Sequence, residues 1–212
     1  MNKVVTVKNI KIGEGIPKIA IPISDSDYAG IKKSVNLIMN SPCDLIEWRG
    51  DFYNDVTDPE VRIKPLTLFR NQLWNLPVLF TIRTDVEGGM MEIDTKDYTD
   101  LLLAVIDSGL IDIVDVELSR GEKTVRTIVQ AAHDAGVKVM GSRHNFKNTP
   151  DKDVIIRSLV KMQELGCDLV KYAVMPQSER DVLTLLDTTL TMKEEYSDTP
   201  VVTMSMGHLG VV

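Results

Sequence analysis

The sequence predicts an α/β fold, a TIM-type (β/α) barrel preceded by an N-terminal β-hairpin, on three observations. Short β-branched runs recur along the chain with starts 26 to 34 residues apart. Amphipathic stretches of helical spacing separate them, which is the pattern of parallel strands joined by crossover helices. No Gly-rich phosphate turn follows the first run, which favours a barrel over a doubly wound sheet.

The elements follow in order. VVTVKNIKIGEGIP reads as a hairpin with its turn near Lys8–Asn9, placed as a plug across the N-terminal end of the barrel. Seven strands come next: KIAIPIS from Lys18, DLIEWR from Asp44, PVLFTIR from Pro77, IDIVDVEL from Ile111, KVMGSRH from Lys138, LVKYAV from Leu169 and PVVTMSM from Pro200. Asp58-Pro59 opens one intervening helix, with proline at the first helical position, and Thr149-Pro150-Asp151 opens another. Gly109, Gly136 and Gly166 stand where helices should stop. Lys193-Glu194-Glu195 reads as the solvated face of the sixth helix. Residues 1–212 are expected to form a single domain.

Composition narrows the function. A chain of 212 residues that is 43% hydrophobic can bury a substantial core. A net charge of −7 argues against nucleic acid or an anionic membrane surface as partner. No apolar run has the length of a membrane span or of a signal peptide, so the expectation is a soluble, cytoplasmic protein. Cys43 and Cys167 read as reduced thiols at strand entrances, not as a disulfide framework. The three histidines lack metal-ligand spacing, so no metal is expected.

Alternation along barrel strands then sorts the side chains. In the second strand Leu45, Glu47 and Arg49 face inward; in the third, Leu79, Thr81 and Arg83. Ile113, Asp115 and Glu117 do so in the fourth, and Leu169, Lys171 and Ala173 in the sixth. Charged groups directed at one interior describe a polar pocket.

Lys171 is the candidate nucleophile. A lysine at its ordinary pKa is only about 0.04% neutral at pH 7, and burial would make more of the free amine available to a carbonyl. The alternative is an ion pair from Lys171 to Asp115 or Glu117. His144 ends the fifth strand at the face where barrel active sites are built, and could take and return a proton. Its alternative is a loop histidine that caps a helix. Glu47, Arg49, Arg83 and Glu87 form a mixed set, read either as a substrate cradle or as a self-satisfied salt-bridge network. Glu87 precedes Gly88-Gly89, a flexible turn that could carry it over the pocket. His133 reads as a surface residue, and Met204 and Met206 end the seventh strand at the pocket rim.

The stretches VTVKNIKIGEGIPKI, CDLIEWRGDF, LFTIRTDVEGG, HNFKNTP, KMQELGCDLVKYAVMPQS and TMSMG together resemble the type I 3-dehydroquinate dehydratases of the shikimate pathway. The resemblance spans essentially the whole chain. It implies a lyase that converts 3-dehydroquinate to 3-dehydroshikimate through a lysine imine, with no metal or diffusible cofactor. Lys171 matches the imine-forming lysine, His144 the general acid/base, and Glu87 the acid that positions it. Glu47, Arg49 and Arg83 match residues that orient the substrate, and Met204 and Met206 match its apolar rim. The expected assembly is a homodimer.

Three departures from the family pattern stand out. The chain ends soon after the seventh strand, so an eighth strand, a carboxylate-gripping arginine and a last helix are expected to be missing. Weakened catalysis and association through open sheet edges would follow, and a silent binding or assembly protein is the second reading. Arg143 stands where an aromatic or amide residue is more usual and by parity should point away from the pocket. Pro22 replaces a possible serine.

Overall fold

The computed structural model describes residues 4–211; residues 1–3 and Val212, the ends of the expected single domain, lie outside the described residues. Strands β1 (Val5–Val7) and β2 (Ile10–Ile12) form the hairpin, with Val7 opposite Ile10. Its turn puts Lys8 at a φ of 50°, a left-handed conformation that an L-residue rarely adopts. The Lys8 ammonium is anchored there, donating to the carbonyls of Trp74 (2.9 Å) and Leu76 (2.8 Å). Val5, Val7 and Ile10 pack against Leu45, Leu79, Ile113, Met140 and Leu169. Those are inward residues near the starts of five strands, so the hairpin plugs the barrel's N-terminal end.

Seven parallel strands form one sheet in sequence order: β3 (Ala20–Ile23), β4 (Leu45–Arg49), β5 (Val78–Thr81), β6 (Ile113–Glu117), β7 (Lys138–Asn145), β8 (Leu169–Val174) and β9 (Val201–Ser205). Each crossover advances by one strand, and the sheet curls as a barrel wall with β3 and β9 at its edges. The six crossovers carry helices α1 (Tyr28–Ile38), α2 (Pro59–Gln72), α3 (Thr95–Asp107), α4 (Glu122–Asp134), α5 (Lys152–Glu164) and α6 (Glu179–Thr191). Their starts follow local chemistry: the side chains of Asp27, Asp58 and Asp94 accept from backbone N–H groups of the first turn. Gly109, Gly136 and Gly166 end α3, α4 and α5 in the left-handed conformation. Beyond α6 the chain makes a π-helical turn, Met192–Tyr196, in which Lys193, Glu194 and Glu195 are exposed.

The outward residues Ile46, Trp48, Val78, Phe80, Val114, Val116, Val139, Val170 and Tyr172 are buried against helix residues such as Ile31, Phe69, Leu102, Ile128 and Leu159. Trp48 lies at the centre of an aromatic group, its ring 5.2 Å from Phe80 and 5.6 Å from Phe69. This two-layer core forces the alternate residues of β4 to β8 inward, where the polar groups converge. Among the described residues, no helix is long and apolar enough to cross a membrane.

Candidate active site

Arg83 lies at the floor of the interior, just past β5, and is only 3% exposed. Its Nη1 donates to Glu117 (2.8 Å) and to Ser142 (3.0 Å), and Nη2 donates to Asp115 (3.0 Å). Ser142 in turn donates its hydroxyl to Asp115 Oδ1 at 2.8 Å. Burial works against the Arg83 charge, but Asp115, Glu117 and Glu87 outweigh it and hold the pKa above its ordinary value. A planar guanidinium suits this fork of acceptors as an ammonium would not. Arg83 is therefore the cation paired with both carboxylates that were possible partners for Lys171, through Asp115 Oδ1 and Glu117 Oε1, while Asp115 Oδ2 is buried with no hydrogen-bond partner among the described residues. Among the described residues Lys171 makes no salt bridge, and it stands free at mid-strand on β8.

His144 stands two residues further along β7 than Ser142, which is in register with Lys171; His144 itself is in register with Ala173. The two candidate residues thus occupy adjacent strands on the same inward face. Glu87 Oε2 accepts both the backbone N–H (2.9 Å) and Nδ1 (3.1 Å) of His144. Assigned from that network, the ring proton sits on Nδ1 and the Nε2 lone pair is left free. Burial, then the charges of Arg83 and Lys171, push the His144 pKa down to about 2. The imidazole is neutral near pH 7, as a proton acceptor must be.

Glu87 is 2% exposed, and burial raises its pKa against the pull of Ser119 and Arg83. The Ser119 hydroxyl donates to Glu87 Oε1 at 2.5 Å. Gly88 and Gly89 lie in a closely packed turn after Glu87. Gly88 has a φ of 78°, and a Cβ there would collide with the Phe146 ring. A Cβ on Gly89 would collide with the Arg83 carbonyl, and its N–H is bonded to the Thr84 carbonyl at 2.8 Å. Close approach is the reason for these glycines. Arg143 also departs from expectation, since its long side chain brings Nη1 to 3.7 Å from Glu87 Oε1.

Glu47 accepts from Thr81 at 2.8 Å. Arg49 is gripped by both oxygens of Asp51 (2.8 and 2.7 Å) and covers the Phe52 ring at 4.8 Å. Asp51 also accepts from the backbone N–H groups of Arg83 (3.2 Å) and Met90 (3.3 Å), tying β4 to the loop that carries Glu87. The mixed set is therefore held largely by outside partners, with Arg83–Glu87 at 3.7 Å its closest internal pair. Met204 is in register with Ala173 on β9 and is exposed, while Met206 is half-buried just beyond. Asp51, Ser119 and Ser142 were not anticipated. Inward parity on β7 could have flagged Ser142, whereas the other two lie in loops where periodicity carries no signal.

At the opposite end a cavity of about 380 Å³ is lined by His133, Gln163, Cys167, Asp168 and Thr199, among others. Asp168 there accepts from His133 (2.8 Å), Lys138 (3.2 Å) and the Val139 N–H (2.9 Å). His133 is exposed, the surface residue expected, and is tethered there by Asp168. Burial pushes the Cys167 thiol up to about 12, which keeps it in the thiol form near neutral pH.

Comparisons with known proteins agree with this geometry. Residues 19–212 match the family model described as Type I 3-dehydroquinase. The 3-dehydroquinate dehydratase of Bacillus licheniformis is 42% identical over 212 residues, covering 100% of this chain and 84% of the relative. A crystal structure of the Clostridium difficile type I enzyme superposes with a TM-score of 0.97 at 43% identity, covering 99% of this chain and 83% of that one. The Enterococcus faecalis enzyme gives 0.94 at 38% identity, covering 97% and 86%. The chain belongs to the type I 3-dehydroquinase family.

Proposed function

We propose that this chain is a hydro-lyase that dehydrates 3-dehydroquinate to 3-dehydroshikimate, with Lys171 as nucleophile and His144 as general acid/base. The observation that carries the reading is the separation of roles in the pocket. Arg83 engages Asp115 and Glu117 and leaves Lys171 free of them, while Glu87 holds His144 with one nitrogen open.

The amine of Lys171 adds to the substrate ketone and releases water, giving a protonated imine. That imine draws electrons from the neighbouring carbon, so its C–H becomes acidic enough for His144 Nε2 to remove the proton. The resulting enamine expels the β-hydroxyl, to which His144 returns the proton as water leaves. Hydrolysis of the conjugated imine frees the product and restores Lys171. Glu47, Arg49 and Arg83 would orient the ring through its hydroxyls, and Met204 and Met206 would cover its apolar edge.

The test is turnover of 3-dehydroquinate, followed by the absorbance of the conjugated enone product. A folded sample that forms no enone would defeat the reading. A cytoplasmic homodimer is part of the same proposal. The exposed Leu183, Leu186 and Leu190 on α6 support self-association, and analytical ultracentrifugation would distinguish dimer from monomer.

A further inference from the structure

We infer that Ser119 is a positioning residue of this site: by donating its hydroxyl to Glu87 Oε1, it holds the Glu87 carboxylate as the acceptor that fixes His144.

Glu87 Oε2 is fully engaged by the two His144 donors, the backbone N–H at 2.9 Å and Nδ1 at 3.1 Å. The other oxygen, Oε1, has one hydrogen-bond donor among the described residues, Ser119 at 2.5 Å. Two cations are near but neither replaces it. Arg83 Nη1 is 3.7 Å from Oε2 and Arg143 Nη1 is 3.7 Å from Oε1, both beyond hydrogen-bond reach. Acidic and phenolic groups also face Glu87: Asp115 and Glu117 from β6 and Tyr172 from β8, and the negative charge of the two acids disfavours a further carboxylate. Burial pushes in the same direction, and the Ser119 hydrogen bond is the largest influence opposing it. Without Ser119, the Glu87–His144 pair takes up a proton at higher pH, and Glu87 can then donate to Nδ1 instead of accepting from it. Nε2 would no longer be the free base.

Ser119 sits in the 3₁₀ turn Leu118–Arg120 and is exposed, so its removal leaves no cavity in the core. The inference rests on the dehydratase reading only for its effect on turnover; the proton placement can be observed without substrate. The experiment is ¹⁵N NMR of the His144 imidazole against pH in the parent protein, Ser119→Ala and Ser119→Thr. Loss of one hydrogen bond to a carboxylate should move proton uptake by the pair up by about one pH unit in Ser119→Ala. Ser119→Thr, which keeps the hydroxyl, should follow the parent. In turnover, Ser119→Ala should lose up to roughly tenfold in kcat on the acid side with KM little changed. Coincident NMR titrations of parent and Ser119→Ala would overturn the inference, because water would then be replacing the hydroxyl. A parent without turnover but with the expected NMR difference would defeat the dehydratase reading and leave this inference standing.

Discussion

Glu87 and His144 are joined twice through a single oxygen: Oε2 of the buried carboxylate accepts the histidine's backbone N–H at 2.9 Å and its Nδ1 at 3.1 Å. The backbone bond fixes where the carboxylate sits, and the ring bond fixes the tautomer. Glu87→Gln keeps the shape but presents an amide that can turn either its oxygen or its NH2 toward Nδ1. The expected outcome is a loss on the order of 10²-fold in kcat, the lower end of what a positioned acid/base supplies. Because the proposed imine forms on Lys171, borohydride trapping of the substrate should survive. Steady-state kinetics and trapping on the same sample check both halves.

The depressed pKa of His144 makes a claim about stability. Its folded value of about 2 lies below the ordinary 6.5, so the unfolded chain binds the proton more readily. The stability it contributes is complete above about pH 6.5 and is lost as pH falls from there. Glu87 and Glu117 act in the opposite sense, since their raised values favour the fold on acidification and that benefit fades as pH rises. The difference between parent and His144→Gln reads the histidine together with its coupling to Glu87. Between pH 6.5 and 5 the parent should lose more stability than the variant, at a rate that rises toward about 1.4 kcal/mol per pH unit at the acid end. Urea denaturation across that range would reveal it, and parallel curves would refute the assignment.

Arg83 is the cation that makes a carboxylate-rich floor tolerable. Arg83→Met leaves Asp115 and Glu117, both fully buried, without their main counter-charge. Breaking such a network by removing one partner costs roughly 3–5 kcal/mol. Chemical denaturation should register a loss of that size, and Arg83→Lys should recover only part of it because an ammonium cannot span the fork.

Gly89→Ala tests the closely packed reading of the loop after β5. The added methyl meets the Arg83 carbonyl, which belongs to the backbone and cannot swing aside. Displacing the loop would move Glu87 off His144 and cost about 1–3 kcal/mol of stability. A thermal melt and kcat should fall together; an unchanged kcat would mean that the turn is flexible after all.

Much of this was legible in the sequence because strand alternation is a strict period. The apolar set Ile46, Trp48, Val78, Phe80, Val114 and Val116 left Glu47, Arg49, Asp115 and Glu117 with nowhere to point but inward, and the structure places them so. Competition between cations was not legible. Parity puts Arg83 and Lys171 in one interior, but which of them reaches Asp115 depends on side-chain length and inter-strand register. Loop contacts were equally hidden, as with Asp51 on Arg49 and Ser119 on Glu87. Arg143 misled for a related reason: parity gives the direction of its Cβ, while a long side chain can bring its charged end back to Glu87.

The central claim is that Lys171 is the residue that bonds to substrate. Borohydride reduction in the presence of 3-dehydroquinate, followed by peptide mass mapping, tests it most directly. The account predicts one stable adduct on Lys171, lost in Lys171→Met while the protein remains folded. An adduct on another lysine, or turnover of 3-dehydroquinate with no trapped adduct on Lys171, would contradict it.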